Sequence, residues 1–265
     1  MKTCIDIFHA DSLTGPMHQL KQAFEFIETN MELRLTPGRS RELAAEILKG
    51  AACDIAAFSD EKVMQEELMG KKIQGTDCAA ASWYIVFSAN QMVLIVPKGN
   101  PMGIRGIADL GRPDIRLVRV TGEKDLATYR TLELIKKAAN DGKMPHLAEQ
   151  ILEKTAVKAP TIPEALQALK NGEANVGIVY LSSAVAEQKY VDHILLPDSL
   201  NLSEQIRNVL SIPGSSKNPI AAGRFVSFIL SPAGQDILKR AGQPPQNPIL
   251  LKGVVPPELN LVLHQ

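Results

Sequence analysis

The sequence predicts an α/β fold in which helices cover largely parallel sheets. Segments of strand character alternate along the chain with segments whose apolar residues recur every three or four positions. The chain has 265 residues, which suits one large domain or two lobes of ordinary size. Apolar residues make up 45% and charged residues 22%, and this ordinary globular composition excludes wholesale disorder.

The first third of the chain is predicted to run strand, helix, strand, helix, strand, helix. Pro16 stands where the first turn of a helix accepts proline, and the apolar residues after it share one face. Ser40 is expected to be the N-cap of the second helix, and Gly50 suits its end. Ser59 and Asp60 are expected to cap the third. The predicted strands are 4–8, 33–35 and 54–58, and the helices carry apolar faces over 20–27, 43–48 and 63–68.

The rest of the chain continues this alternation and ends in a proline-rich tail. Further strands are predicted over 84–87, 92–96, 115–120, 176–180, 194–196 and 209–212, and 157–161 leads into a helix. Helices are predicted around 132–136, from Pro163 to Gly172, over 221–230, and from a cap at Ser231 to Arg240. Five prolines between positions 244 and 257 predict an irregular tail.

Charge and motifs exclude several classes of function. Lys plus Arg and Asp plus Glu both number 29, so the net charge is zero, which argues against a broad nucleic-acid-binding face and a polybasic membrane anchor. The apolar runs are far shorter than the ~20 residues of a membrane span. The chain lacks H-E-x-x-H, G-x-S-x-G, P-loop and G-x-G-x-x-G strings. The three cysteines lack C-x-x-C spacing; we expect buried free thiols, with one disulfide as the alternative.

One feature recurs: a strand ends in a short loop rich in Ser, Thr or Gly, and a helix begins at once. This pattern follows the strands predicted over 4–8, 33–35, 115–120 and 157–161. The start of a helix offers unpaired backbone N–H groups, so several starts aimed at one point can hold an anion without Lys or Arg. In open α/β sheets the ligand site lies beyond the carboxyl ends of the strands. Each Ser or Thr taken singly is an ordinary N-cap, and spacing alone does not show that the loops converge.

Five groups of segments in colinear order resemble one protein family and span nearly the whole chain. They are 8–13, 40–61, 90–101, 172–182 and 225–235. These segments, beginning with Phe8-His9-Ala10-Asp11-Ser12-Leu13, resemble the molybdate/tungstate-binding proteins of ABC transporters, which are periplasmic solute-binding proteins of type II. The resemblance implies a two-lobed α/β periplasmic-binding-protein type II fold with the ligand cleft between the lobes. We expect one discontinuous lobe of 1–90 with 200–265, and a second lobe of 91–199.

Within this family the chain is similar to the archaeal-type tungstate/molybdate branch. The run Asp125-Leu126-Ala127-Thr128-Tyr129-Arg130 keeps the Asp, Tyr and Arg of the D-P-C-G-Y-R pattern of that branch. That branch has a Glu before its site tyrosine, where this chain has Val179. Because the two-carboxylate arrangement that raises the coordination of the metal centre cannot form with Val179, we expect a tetrahedral oxyanion.

The resemblance implies a site built from hydroxyl groups and backbone N–H groups. Ser12 and Ser40 would each contribute both kinds of donor, and Tyr180 would contribute its hydroxyl. Backbone N–H groups near Leu126 and Ile162 would complete the site. The expected ligand-binding residues are Ser12, Ser40, Asp125, Leu126, Ile162 and Tyr180, with no metal ion held directly by the protein and no cofactor.

Two loop charges depart from the family pattern. Asp11 replaces a small residue, and Arg39 stands where the family has a small or acidic one. Each is most simply a solvated loop charge, and the alternative is a site retuned for another anion. A fully deprotonated dianion has acceptors only, so a carboxylate in contact repels it. Contact of Asp11 or Asp125 with the ligand would therefore favour hydrogen phosphate or a protonated organic acid.

The resemblance implies a protein that binds molybdate or tungstate and delivers it to the membrane permease of an ABC transporter. It would be a monomeric, membrane-associated protein of the periplasm or the cell exterior, with no enzymatic activity. A same-class alternative is a binding protein for sulfate, phosphate or an organic acid, motivated by Asp11, Arg39 and Val179. Because the sequence shows no signal segment, a cytosolic ligand-sensing module is a second alternative. An enzyme is the third, although no nucleophile–base pair is readable.

Overall fold

The computed structural model describes residues 2–123 and 125–263. The chain divides into two compact units: unit 1 comprises Met1–Ala89 with Ile206–Gln265, and unit 2 comprises Asn90–Gln205. The lobe boundaries expected from the sequence and the ligand cleft between lobes stay predictions. Among the described residues, no helix is both long enough and apolar enough to cross a membrane.

Strands and helices alternate along the described part of the chain, which confirms the predicted α/β class. The strands are β1 Thr3–Ala10, β2 Met31–Gly38, β3 Ile55–Phe58, β4 Trp83–Ala89, β5 Met92–Pro97, β6 Leu117–Val120, β7 Thr155–Ala159, β8 Val176–Tyr180, β9 Val191–Leu195, β10 Arg207–Ser211 and β11 Pro245–Gly253. The helices are α1 Thr14–Ile27, α2 Ser40–Leu48, α3 Glu61–Val63, α4 Leu126–Asp141, α5 Leu147–Glu153, α6 Ile162–Lys170, α7 Leu181–Ala186, α8 Pro219–Leu230, α9 Pro232–Arg240 and α10 Pro257–Leu263. Short 3-10 turns cover Asp11–Leu13 and Ile107–Gly111, and α3 continues as a π-helical turn over Met64–Leu68.

The sheet of unit 1 has the strand order β11-β4-β10-β3-β1-β2. β1 pairs in parallel with β2 and with β3, whereas β10 is antiparallel to β3 and β4. The chain passes from β2 back across β1 to β3 through α2, which is a doubly wound arrangement with β1 in the middle. The pairing of β1 with β2 ends at Ala10 opposite Gly38, so both strands stop at the same edge.

Two separate apolar cores cover the two faces of this sheet. Along β3, Ile55 and Ala57 belong to one core and Ala56 and Phe58 to the other, as the two-residue period of a strand requires. The first core contains the buried residues of α1 and α8, and the second contains those of α2. The helices that follow β1 and β2 therefore lie on opposite faces, and both begin at the same edge.

Unit 2 repeats this arrangement of strands. Its order is β7-β6-β8-β5-β9, with β6 parallel to β7 and β8, and β5 antiparallel to β8 and β9. The matching order in unit 1 is β2-β1-β3-β10-β4. Each neighbouring pair in one unit is parallel or antiparallel as its counterpart in the other unit is. Buried Ala165, Leu166 and Leu169 of α6 pack with Val118 and Val120 of β6, so the repeat extends to a helix packed on its sheet.

The expectation of largely parallel sheets is wrong. Among the described residues, four strand pairings are parallel and five are antiparallel. The reason is that β5 and β10 each enter their sheet on a segment that arrives from the other unit. No helical crossover of the β-α-β kind precedes them, so nothing requires them to run parallel to their neighbours.

Two further expectations are corrected. The tail is not irregular, because Pro245–Gly253 forms β11 at the edge of the sheet, where the missing N–H of proline is tolerated, and α10 follows. The three cysteines are free, but Cys53 alone among them is buried, and Cys4 and Cys78 are partly exposed. The helices α5 and α7 were not predicted, since seven and six residues are too few to show a clear apolar period.

Candidate functional site

In unit 1 the structure brings Ser12 and Ser40 to one edge of the sheet. Each serine lies two residues beyond Ala10 or Gly38, which are the last paired residues of β1 and β2. Ser12 is the middle residue of the turn Asp11–Leu13 and is exposed, whereas Ser40 begins α2 and is half-buried. The two serines are therefore neighbours at the ends of paired strands, and their role in ligand binding stays a prediction.

Both loops leave backbone donors at a helix start. The sequence predicts Ser40 as the N-cap of α2, and this prediction is wrong. That position belongs to Arg39, whose backbone is extended at φ −75° and ψ 130° and whose carbonyl accepts from Leu43 N at 3.0 Å. The first N–H groups of a helix have no acceptor within that helix. Neither helix start in this pair has a side-chain cap that would accept from them instead. Ser40 thus offers its N–H from the first turn of α2.

The loop charges that depart from the family pattern lie at the surface. Asp11 and Arg39 are both exposed. Arg39 Nη1 lies 3.4 Å from Glu42 Oε1, which is an exposed ion pair one turn along the same helix. In the loop after β3, Asp60 Oδ1 accepts from Lys62 N at 2.9 Å, which confirms the predicted cap at Asp60.

A charged cluster lies beyond the β3 loop. Glu61 accepts hydrogen bonds from Tyr84 Oη and Lys252 Nζ, both at 2.8 Å, and Arg207 Nη1 lies 3.4 Å from its other oxygen. Burial raises the pKa of the Glu61 carboxyl, but the hydrogen bonds from Lys252 and Tyr84 outweigh burial and hold that pKa below its ordinary value. Glu61 is therefore ionised and holds both neighbouring cations in ion pairs.

His9 lies at the end of β1, just before the Ser12 loop. The residue is buried, and its Nδ1 lies 3.0 Å from the Ala10 carbonyl oxygen. Its Nε2 is buried and has no hydrogen-bond partner among the residues that the structure describes. Burial lowers the pKa of His9 below its ordinary value, so the imidazole is neutral at neutral pH and adds no positive charge to this edge.

In unit 2 the loops that carry the other predicted site residues also share one edge. Val120 at the end of β6 is opposite Ala159 at the end of β7, and β8 pairs with β6 in the same direction. Leu126 is the first residue of α4 and Ile162 is the first residue of α6, so the N–H of each lacks an acceptor within its helix. Tyr180 is half-buried and ends β8, at the N-cap of α7.

Carboxylates stand at the starts of both long helices of unit 2. Asp125 Oδ1 accepts from Ala127 N at 2.9 Å, so Asp125 caps α4. Glu164 Oε2 accepts from Thr161 N at 3.0 Å and from Thr161 Oγ1 at 2.8 Å at the start of α6. A carboxylate near a helix N-terminus stabilises that helix. The Asp125 carboxylate is therefore bound within its own helix, and its contact with a ligand stays a prediction.

Two features of unit 2 escaped the sequence reasoning. A Cβ added to Gly122, in the loop after β6, would lie 2.2 Å from the Pro160 carbonyl oxygen in the loop after β7. Asn90 is buried, and it donates to Ser182 Oγ at 2.8 Å and accepts from Ser182 N at 3.4 Å at the start of α7. The one available signal was a glycine two residues after the end of a predicted strand. These contacts hold the three loops of this edge in place.

Among the described residues, no group of three His, Cys, Asp or Glu side chains is arranged to hold a metal ion. The donors gathered at the two edges are backbone N–H groups and hydroxyls, which suit a ligand that carries only acceptors. The arrangement at each edge can therefore bind an anion.

Comparison with known proteins finds a family model and relatives that all describe solute-binding proteins. The family model of bacterial extracellular solute-binding proteins matches residues 5–243. The molybdate-binding protein ModA of Mycobacterium tuberculosis is 24% identical over 238 residues, which cover 90% of this chain and 83% of the relative. The molybdate/tungstate-binding protein WtpA of Pyrococcus abyssi is 22% identical over 311 residues, which cover 96% of this chain and 88% of the relative.

The solved structures agree with these relatives. The substrate-binding domain assigned to a molybdenum ABC transporter of Clostridium difficile has a TM-score of 0.72 and 25% identity, and the match covers 92% of this chain and 99% of that one. These findings confirm the resemblance inferred from the sequence and the predicted periplasmic-binding-protein type II fold. The chain therefore belongs to the family of bacterial extracellular solute-binding proteins.

Proposed function

We propose that this protein binds a tetrahedral oxyanion, molybdate or tungstate, and delivers it to the permease of an ABC transporter. One observation carries the proposal: each unit gathers the ends of parallel strands at one edge, beside helix starts whose first N–H groups have no acceptor within the helix. The candidate donors are Ser12 and Ser40 in unit 1 and, in unit 2, the N–H groups of Leu126 and Ile162 with the hydroxyl of Tyr180.

The chemistry of these donors favours an acceptor-only dianion. Hydroxyl and N–H groups donate to every oxygen of a fully deprotonated oxyanion. The two arginines that flank Ser40 in the sequence are held by carboxylates, Arg39 by Glu42 and Arg41 by Glu66 and Glu67. Binding therefore depends on neutral donors and helix starts rather than on a free counter-charge. Val179 before Tyr180 leaves no second carboxylate there, which supports a tetrahedral ligand.

Hydrogen phosphate is the second candidate ligand. The carboxylates of Asp125 and Glu164 stand at the starts of α4 and α6, beside the N–H donors assigned to the ligand. A carboxylate near the ligand repels a fully deprotonated anion, whereas a protonated phosphate oxygen can donate to it. Preference for phosphate over molybdate would show that these carboxylates face the ligand.

Titration calorimetry with molybdate, tungstate, sulfate and phosphate tests the proposal. We expect heat with molybdate or tungstate, and the absence of heat with all four anions would reject the oxyanion assignment. The double variant Ser12→Ala and Ser40→Ala should weaken binding about 100-fold, since each hydrogen bond to a charged group contributes about 1.5 kcal/mol or more. The variant Ser215→Ala, in the loop before α8 at the opposite edge of the sheet, is the matched control and should bind like the wild type.

The proposal includes the setting in which the protein works. It acts as a monomer, outside the cytoplasm, with a membrane permease as partner, and it neither uses a cofactor nor turns over its ligand. The family description supports the location outside the cytoplasm, and the name of the Clostridium difficile domain supports an ABC transporter as partner. Elemental analysis of the purified protein for Mo, W, S and P tests the ligand, and chemical conversion of any bound anion would contradict the non-enzymatic role.

A further inference from the structure

A chain of three buried polar side chains runs beneath the Ser12 loop in unit 1. Ser88 at the end of β4, Asn208 in β10 and Gln243 after α9 are each at most 1% exposed. Asn208 Nδ2 donates to Ser88 Oγ at 2.8 Å and to Gln243 Oε1 at 2.7 Å. Gln243 Nε2 then donates to the carbonyl oxygen of Ser12 at 3.3 Å. The chain of hydrogen bonds therefore ends on the backbone of a predicted ligand-binding residue.

The backbone of Gln243 is itself fixed. Its N–H donates to the Leu238 carbonyl at 2.9 Å, and the N–H of Gly242 donates to the Lys239 carbonyl at 3.1 Å. Gly242 has a positive φ of 72°. These three features form a Schellman motif at the end of α9, with Gln243 at the position that usually makes an apolar contact. A buried amide at that position costs free energy unless its polar atoms are bonded, and here both ends of the amide are bonded.

We infer that Gln243 is a positioning residue for the anion site, an inference that rests on the proposed function. By holding the Ser12 carbonyl toward the interior, Gln243 sets the orientation of the Ser12 loop. The Ser12 hydroxyl and N–H are then aligned with the ligand before it arrives, so less ordering remains to be done on binding. Asn208 fixes which way the Gln243 amide faces, because it donates to the oxygen and leaves the nitrogen for Ser12.

A double-mutant cycle on binding tests this inference. Gln243→Met keeps the length of the side chain and removes both hydrogen bonds, and it should weaken molybdate or tungstate binding about tenfold. If Gln243 acts through Ser12, adding Gln243→Met to Ser12→Ala should weaken binding by clearly less than tenfold beyond Ser12→Ala alone, because the Ser12 hydroxyl is already gone and only the alignment of the backbone N–H remains to be lost. Adding Gln243→Met to Ser40→Ala should instead multiply the two effects. Ser40 is the matched control because it begins α2, in the loop after the other strand, β2.

The outcomes separate the possible failures. Multiplied effects in both cycles, or wild-type affinity of Gln243→Met, would overturn the positioning role while the proposed function stands. Failure of the wild type to bind any of the four anions would overturn both. Binding is compared on folded protein, checked by thermal unfolding without ligand. Should Gln243→Met not fold, Gln243→Leu takes its place, because an apolar side chain suits this position of a Schellman motif and likewise loses the donor to Ser12.

Discussion

Gly122 offers a sharp test of the edge of unit 2, because two backbone segments meet there. In Gly122→Ala the new Cβ would lie 2.2 Å from the Pro160 carbonyl oxygen and 3.3 Å from its carbon. Ordinary contact begins near 3.4 Å, so the loops after β6 and β7 must separate by about 1.2 Å. The obstacle is backbone, and a side-chain rotation cannot relieve it.

This separation acts on the groups assigned to the ligand. Pro160 leads directly into Thr161 and Ile162, and Gly122 lies in the loop before Leu126. The strand ends are joined by the hydrogen bond from Thr121 N to Ala159 O at 2.8 Å, so the movement cannot pass back into the sheet without breaking that bond. A shift of about 1 Å takes a backbone donor out of hydrogen-bond range, at about 1.5–3 kcal/mol for a charged acceptor, which corresponds to roughly 10- to 100-fold in affinity.

Titration calorimetry of Gly122→Ala with molybdate or tungstate measures this loss. The matched control in the same unit is Gly106→Ala, where an added Cβ meets nothing within 4 Å and the backbone is extended at φ −178°. The control should bind like the wild type. Wild-type affinity of Gly122→Ala, in a protein that unfolds at the same temperature, would refute the reasoning that these loops carry ligand donors.

Three further predictions concern stability and reactivity. Asp54→Ala should lower the free energy of unfolding by about 3–5 kcal/mol in urea titrations. The reason is that the buried Asp54 carboxylate accepts four hydrogen bonds at 2.6–3.2 Å. A loss below about 1 kcal/mol would contradict this. Cys53 should resist maleimide in the folded protein while Cys4 and Cys78 react, because burial raises the pKa of the Cys53 thiol to about 12; mass spectrometry of labelled peptides decides. His9 has a lowered pKa through burial, so the unfolded chain takes up a proton that the fold does not, and stability should fall as pH drops below about 6.5. His9→Gln should flatten that decline in pH-dependent thermal unfolding, and an unchanged slope would count against it.

Much of each unit could be predicted because the signals are local. The periods of helices and strands are written in neighbouring residues, and caps such as Asp60 and Ser231 act within a few positions. Ser40 shows the limit of this reasoning: one residue's backbone conformation decides which residue is the cap, and Arg39 is the extended one. Boundaries that depend on such detail shift by a residue even when the element itself is correct.

The candidate site comes partly from local signals and partly from the family resemblance, and its role in binding stays a prediction. Helix starts after strands directed attention to the loops of Ser12, Ser40, Leu126 and Ile162, and the family resemblance added Tyr180. Gln243 could not be found in this way, because it lies between the helix predicted to end at Arg240 and the proline-rich tail, where no pattern was predicted. Its partners Asn208 and Ser12 are 35 and 231 residues away in the chain, and no local pattern records a contact over such separations.

The amino-acid sequence by itself determined the α/β class, most helices and strands, and the family, since periodicity, capping and motif strings are properties of short segments. Only the tertiary structure decided that β5 and β10 run antiparallel, that the tail supplies β11, and that Gly122 touches Pro160. The physical reason is that strand pairing and close backbone approach are settled by competition among distant segments for the same hydrogen bonds and the same space.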